Sequence, residues 1–153
     1  MAAKKNACKK SDVPIDQKSA DEAVEELGCL MGGYIPPALE HIRKYNSELA
    51  RSVRLIDRVM VEDGALDKKT KRLIALACVA TRMCEDCVYP QARVAKNFGA
   101  TREEIVEALH VAVVTGGVPV WSLSKKGISK LFEEWDLEDG KKEENLTKSN
   151  RKK

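Results

Sequence analysis

Cys84 and Cys87, in the stretch Met83-Cys84-Glu85-Asp86-Cys87, are the residues whose types and spacing carry the most chemistry. Cysteines three apart at the opening of a helix put both sulfurs on one face, within disulfide reach. Unpaired backbone N–H groups and the positive end of the helix dipole stabilise a thiolate there. The thiolate is the nucleophile of thiol–disulfide exchange, and its neighbour can then close the disulfide. Arg82 adds to that field, while Glu85 and Asp86 oppose it. A zinc site would need four ligands, and the second pair is missing. Cys78 lies six positions upstream, Cys8 and Cys29 are remote, and His41 and His110 show no ligand spacing, so no metal is expected. Two reduced cysteines packed as small core residues are the bland alternative. Cys78, in the run Leu73–Ala80, reads as packing, and Cys8 as an exposed thiol with nothing nearby to activate it. His110 is the other acid–base candidate: packing against the pair would make it a proton carrier, although a lone histidine on an apolar helix is more often a core or interface residue.

The elements that must position these groups are helices. Ser19 and Asp21 start an amphipathic stretch through Leu30 that stops at Gly32-Gly33. Pro36-Pro37 suits a first helical turn, opening a segment to about Val61 with a break near Asn46-Ser47. Asp67 caps the next helix, whose apolar stripe is Leu73, Ile74, Leu76, Ala77 and Ala80. A further helix carries the cysteine pair to Asn97 or Phe98, with Gly99 at C′. Thr101 and Glu104 form a capping box opening 101–115. The second half of that helix, Leu109 to Trp121, is apolar on nearly every side, more than one small subunit can bury, and reads as a seam between subunits. A last amphipathic helix spans Ser122 to about Trp135. Trp121 and Trp135 read as packing anchors.

The chain has 153 residues, 43% hydrophobic, 33% charged and 5% aromatic, which suits one helical domain. The pattern places a flexible N-terminal arm at 1–18, a single helical domain at 19–138 and a charged flexible tail at 139–153. Lys plus Arg number 27 against 24 Asp plus Glu, a net charge of +3, too small to indicate a nucleic-acid partner. No apolar run approaches the ~20 residues of a membrane span. The basic start leads into no apolar segment, so no signal peptide is expected. Five cysteines, an odd number, then fit a reducing cytoplasm.

Several motifs together resemble a known family. They are Leu66-Asp67-Lys68-Lys69-Thr70 running into Leu73-Ile74-Ala75-Leu76-Ala77, the pair Cys84-x-x-Cys87, the run Phe98-Gly99-Ala100-Thr101-Arg102-Glu103-Glu104-Ile105, then Glu107-Ala108-Leu109 and Gly116-Gly117. Over about residues 36–120 the chain resembles the carboxymuconolactone decarboxylase-like family, in its alkylhydroperoxidase D-like branch with a cysteine pair. The resemblance implies an all-α domain of about six to seven helices, assembled as a homo-oligomer, trimer or hexamer. It also implies thiol-dependent reduction of a peroxide or disulfide substrate by a pair that cycles between dithiol and disulfide, with no cofactor. The electrons would come from an external dithiol, a thioredoxin-like or lipoyl protein.

The match departs from that branch at its proton relay. The glutamate usual twelve positions before the first cysteine is Arg72 here, and the histidine four positions after the second is Gln91. A histidine often found between the cysteines is replaced by Asp86. Gln91 can hydrogen-bond but cannot shuttle protons. Arg72 is a permanent cation that either faces the sulfurs, favouring the thiolate by charge, or turns outward with Lys68 and Lys69. Peroxide turnover should therefore be weak and dithiol exchange retained. The first-turn field favours Cys84 as exchange nucleophile with Cys87 resolving, whereas the resemblance favours Cys87 as the sulfur that meets peroxide. Two other functions stay open: decarboxylation of a lactone acid, which requires no cysteine pair, and a non-enzymatic redox-sensing or scaffold oligomer.

Overall fold

In the computed structural model the described residues are 19–150, with side chains described through 141. The arm at 1–18, with Cys8, and the last three residues of the tail lie outside the described residues. Among the described residues the regular structure is seven α-helices and no strand. They gather into two compact units that divide between Lys71 and Arg72.

The first unit is built on α1 (Ala20–Leu30), α2 (Pro37–Tyr45) and α3 (Ser47–Val61), which pack on one another. Ser19 and Glu22 close a capping box on α1. Asn46 breaks α2 from α3 in an extended conformation, and its side chain accepts from the Leu49 N–H at 2.9 Å. Ala23, Val24 and Leu27 bury the inner stripe of α1. Arg54, almost fully buried, pairs with Glu26 at 3.5 Å.

The second unit takes the body of α4 (Lys68–Thr81) with α5 (Glu85–Asn97), α6 (Arg102–Gly116) and α7 (Pro119–Asn150). Leu76 and Ala80 of α4, Val88, Ala92 and Ala95 of α5, Ile105, Leu109 and Ala112 of α6, and Val120, Ile128 and Leu131 of α7 make its core. The α5–α7 contact is close because residue 127 is glycine. A Cβ there would stand 3.1 Å from the Tyr89 amide nitrogen and 3.3 Å from Val88 Cγ1, so α7 rides on the backbone of the α5 turn just after Cys87.

Three features differ from the sequence reading. Cys78, expected to pack, is a free and exposed thiol, and Ile74 on the same side of α4 is 48% exposed; Leu76 and Ala80 of the expected stripe are buried, Leu73 and Ala77 pack partly buried against the core, and Arg72 joins the buried face. The last helix starts at Pro119, not Ser122, because proline at a first helical position loses only a donor that has no partner there. It also passes Trp135 and continues to Asn150, through residues assigned to the charged tail, whose glutamates and lysines are good helix formers.

Candidate active site

The corner between α4 and α5 sets the cysteine pair. At the end of α4 the Met83 N–H donates to Ala80 O at 2.9 Å and the Cys84 N–H to Val79 O at 3.1 Å. These two bonds are a Schellman closure, which needs its C′ residue in the left-handed region. That residue is Met83, at φ +59°, the one non-glycine with positive φ among the described residues. The residue after it is Cys84, which thus ends one helix and serves as the N-cap of the next. Cys87 falls in the first turn of α5, its N–H donating to Cys84 O at 3.1 Å. The two cysteines are joined as a disulfide with Cα atoms 5.3 Å apart, and both are half-buried. Neither is sealed from solvent.

The surrounding charges come from two sides. Glu85 and Asp86 occupy the first turn of α5. Lys126 of α7 meets Glu85 at 3.1 Å, and its ammonium is held above the usual lysine range by that hydrogen bond and by the charges of Glu85 and Asp86. Part of the negative field that opposes a thiolate is thereby compensated. Pro90 lies inside α5, so the carbonyl of Asp86 in the cysteine turn lacks its usual i+4 donor.

Arg72 turns inward. The residue is 3% exposed, and its guanidinium donates from Nη1 to Gln91 Oε1 at 3.1 Å. Gln91 sits one turn beyond Cys87, so Arg72 reaches the cysteine-bearing helix, and the outward alternative is excluded. Of the three supporting candidates the structure brings these two together. His110 is elsewhere: it is exposed on α6, its ring 5.4 Å from that of Trp121, and no hydrogen bond joins it to Arg72, Gln91 or the pair. The residue that sequence reasoning passed over is Met83, because nothing in a methionine announces a left-handed backbone. The positive φ of Gly99, in the same motif after α5, was legible from its glycine. Among the described residues no group of His, Cys, Asp or Glu could hold a metal ion, and no helix is long and apolar enough to cross a membrane.

The chain, with seven helices among the described residues, belongs to the carboxymuconolactone decarboxylase family, whose model matches residues 47–124. Among its relatives, uncharacterized protein 4 in the cox locus of Paracoccus denitrificans is 36% identical over 78 residues, 51% of this chain and 70% of that protein. An uncharacterized protein of Methanocaldococcus jannaschii is 39% identical over 80 residues, 52% of this chain and 76% of that one. A solved carboxymuconolactone decarboxylase family protein from Legionella pneumophila superposes with a TM-score of 0.57 at 29% identity, covering 74% of this chain and 95% of that one. A Burkholderia xenovorans protein named for carboxymuconolactone decarboxylase superposes at 0.67, covering 80% and 98%; its 22% identity speaks for the fold alone.

Proposed function

We propose that the chain is a thiol oxidoreductase that cycles Cys84 and Cys87 between dithiol and disulfide, reducing disulfides and, weakly, organic hydroperoxides. The observation that carries this reading is the corner itself: two half-exposed sulfurs, one on the N-cap and one in the first turn of α5, already close enough to bond. In the peroxide half-reaction one thiolate attacks the outer peroxide oxygen, the alkoxide leaves and takes a proton to become alcohol, and a sulfenic acid remains. The second thiol displaces its hydroxyl as water and forms the Cys84–Cys87 bond. An external dithiol, on a thioredoxin-like or lipoyl protein, then attacks that disulfide and is itself oxidised, restoring two thiols. Cys84, at the N-cap where the helix-end field is strongest, is the exchange nucleophile in this scheme, and Cys87 the resolving partner. The work belongs in a reducing cytoplasm, where such donors are kept reduced.

The test is a panel of dithiol donors with peroxide and protein-disulfide acceptors, run beside Cys84→Ser and Cys87→Ser. Turnover should fall to background in both variants. A Cys84→Ser protein that reduced disulfides at the original rate would refute the pair mechanism. The decarboxylase reading draws on the family's name and needs no thiol; consumption of a lactone acid by fully alkylated protein would favour it. Mild peroxide should remove about two daltons from a Cys84–Cys87 peptide, whereas an unchanged mass would favour a scaffold.

A further inference from the structure

The third helix, α3, turns its apolar side away from its own unit. It packs on α1 and α2 through Ala50, Arg54 and Val61, and the central one of these is the buried arginine held by Glu26. Between Leu49 and Met60 its charged residues are Arg51, Arg54, Asp57 and Arg58, and all four fall on the half of the helix centred on Arg54. The opposite half carries Leu49, Leu55, Ile56 and Val59, between 47% and 72% exposed. A helix at the surface of a finished domain is built the other way round, with its apolar stripe inward and its charges outward. The unit is also small. Helices of 11, 9 and 15 residues close a core to which α3 gives neither of its leucines nor its isoleucine. Association is one of the devices that complete so small a core.

The order of residues on this face indicates what covers it. Leu49, Ser52, Ile56 and Val59 are spaced three, four and three apart, the a and d positions of a coiled-coil seam. Laid antiparallel on its own copy about a two-fold axis level with Arg54, the helix complements itself. Ser52 of each copy meets Ile56 of the other, small against large, and Leu49 meets Val59 at both ends. The two helix dipoles then run in opposite directions, which is favourable side by side. A parallel pairing would set Ser52 on Ser52 and leave the seam underfilled at its centre. The stripe exposes on the order of 500 Å² per chain, so the pair covers about 1,000 Å², where specific contacts begin. We propose that α3 is a self-docking surface through which two copies of the chain pair antiparallel. This contact is separate from the apolar seam of α6 and does not rest on the thiol chemistry. It gives the assembly an even number of chains.

Light scattering after size exclusion, on the full chain, counts the copies. An even number is expected for the wild type, and Ile56→Glu should halve it by burying an unpaired charge in the seam. Its circular dichroism spectrum should stay unchanged, because Ile56 lies outside the core of its unit. Leu49→Lys and Val59→Glu should each weaken the pairing about tenfold, read from the concentration at which the mass falls. Combined in one chain they should recover most of that loss, since the antiparallel register sets each lysine against a glutamate of the other copy. Within one chain the two positions are about three turns apart and cannot meet. A wild type that runs as a monomer or a trimer, a folded Ile56→Glu protein of unchanged mass, or a double variant weaker than either single one would each overturn the proposal. If Ile56→Glu does not fold, Leu49→Lys, Val59→Glu and their combination decide the question.

Discussion

Arg72 and Gln91 stand at the two positions where the peroxidase branch that the chain resembles keeps a glutamate and a histidine, and they touch at 3.1 Å. Neither side chain can relay a proton: one never loses its proton, the other never gains one. Replacing Arg72→Glu together with Gln91→His should restore acid–base assistance and raise hydroperoxide turnover by roughly 10²-fold, with disulfide exchange changed far less. Steady-state rates on both substrates check this, and a double variant no faster on peroxide than the parent would remove the relay argument. Gln91→Leu should instead destabilise the fold by about 1–3 kcal/mol, since it takes an acceptor from a buried guanidinium; denaturant unfolding measures it. At this scale the sequence was informative about which residues gather at the corner and silent about which way they face. Cys84, Cys87, Arg72 and Gln91 were all identified by spacing or resemblance. The expected stripe holds at Leu76 and Ala80 and, partly buried, at Leu73 and Ala77. The inward turn of Arg72, one turn before Leu76, was not legible because nothing in an arginine announces burial. The apolar types of Ile74 and Cys78 did not reveal that they face outward.

Two helix ends in this chain use the same closure with different residues. After α5, Ala100 donates to Ala95 O at 3.0 Å and Gly99 to Lys96 O at 2.9 Å, with Gly99 at φ +90°. After α4 the equivalent residue is Met83, 46% exposed and at φ +59°. A left-handed conformation costs a residue with a Cβ roughly 1–2 kcal/mol, and such strain gathers at functional sites. Met83→Gly should therefore leave the protein equally stable or up to about 1 kcal/mol more stable, while β-branched Met83→Val should lose at least that much. Urea midpoints of the two variants decide it, and the cost to exchange rate of relaxing the corner can be read from the same proteins. Asp67 shows the other end of a helix. It accepts from the Thr70 backbone N–H at 2.8 Å and from the Thr70 hydroxyl at 3.0 Å, which hold its carboxyl below the usual aspartate range. A depressed folded value means the cap stabilises fully above the unfolded value and is lost as pH falls through the folded one. Asp67→Ala should lower the thermal midpoint at neutral pH, and the gap to wild type should narrow only as the pH falls below the ordinary aspartate value of 3.8 and through the depressed folded one. Caps of this kind are why the helix starts at Ser19, Asp67 and Thr101 were legible: their signal is a side chain at a fixed offset. The onset of α7 was not, because Gly117 and Val118 make too short a break to interrupt an apolar run.

For the molecule as a whole, the apolar surface left over on the second unit has a consequence for assembly. Val111 is 58% exposed, Val114 86% and Val118 72%, along the C-terminal half of α6 and the step into α7. This is the stretch whose unbroken hydrophobicity in the sequence suggested a subunit seam, and the fold leaves its outer side bare while Leu109 and Ala112 fill the core. Exposed β-branched residues grouped on one face, in a chain with a 33% charged composition, are costly to keep in water and are a common mark of an interface. We propose that copies of the chain associate through this face into a closed homo-oligomer, trimer or hexamer. Val114→Lys should then lower the mass in solution toward that of one chain, since a charge buried without a partner at such a contact disfavours association. Light scattering after size exclusion measures the shift, and the helical circular dichroism signal should stay unchanged because Val114 is outside the core. A wild-type chain that runs as a monomer at every concentration, or a Val114→Lys variant of unchanged mass, would place the assembly surface elsewhere.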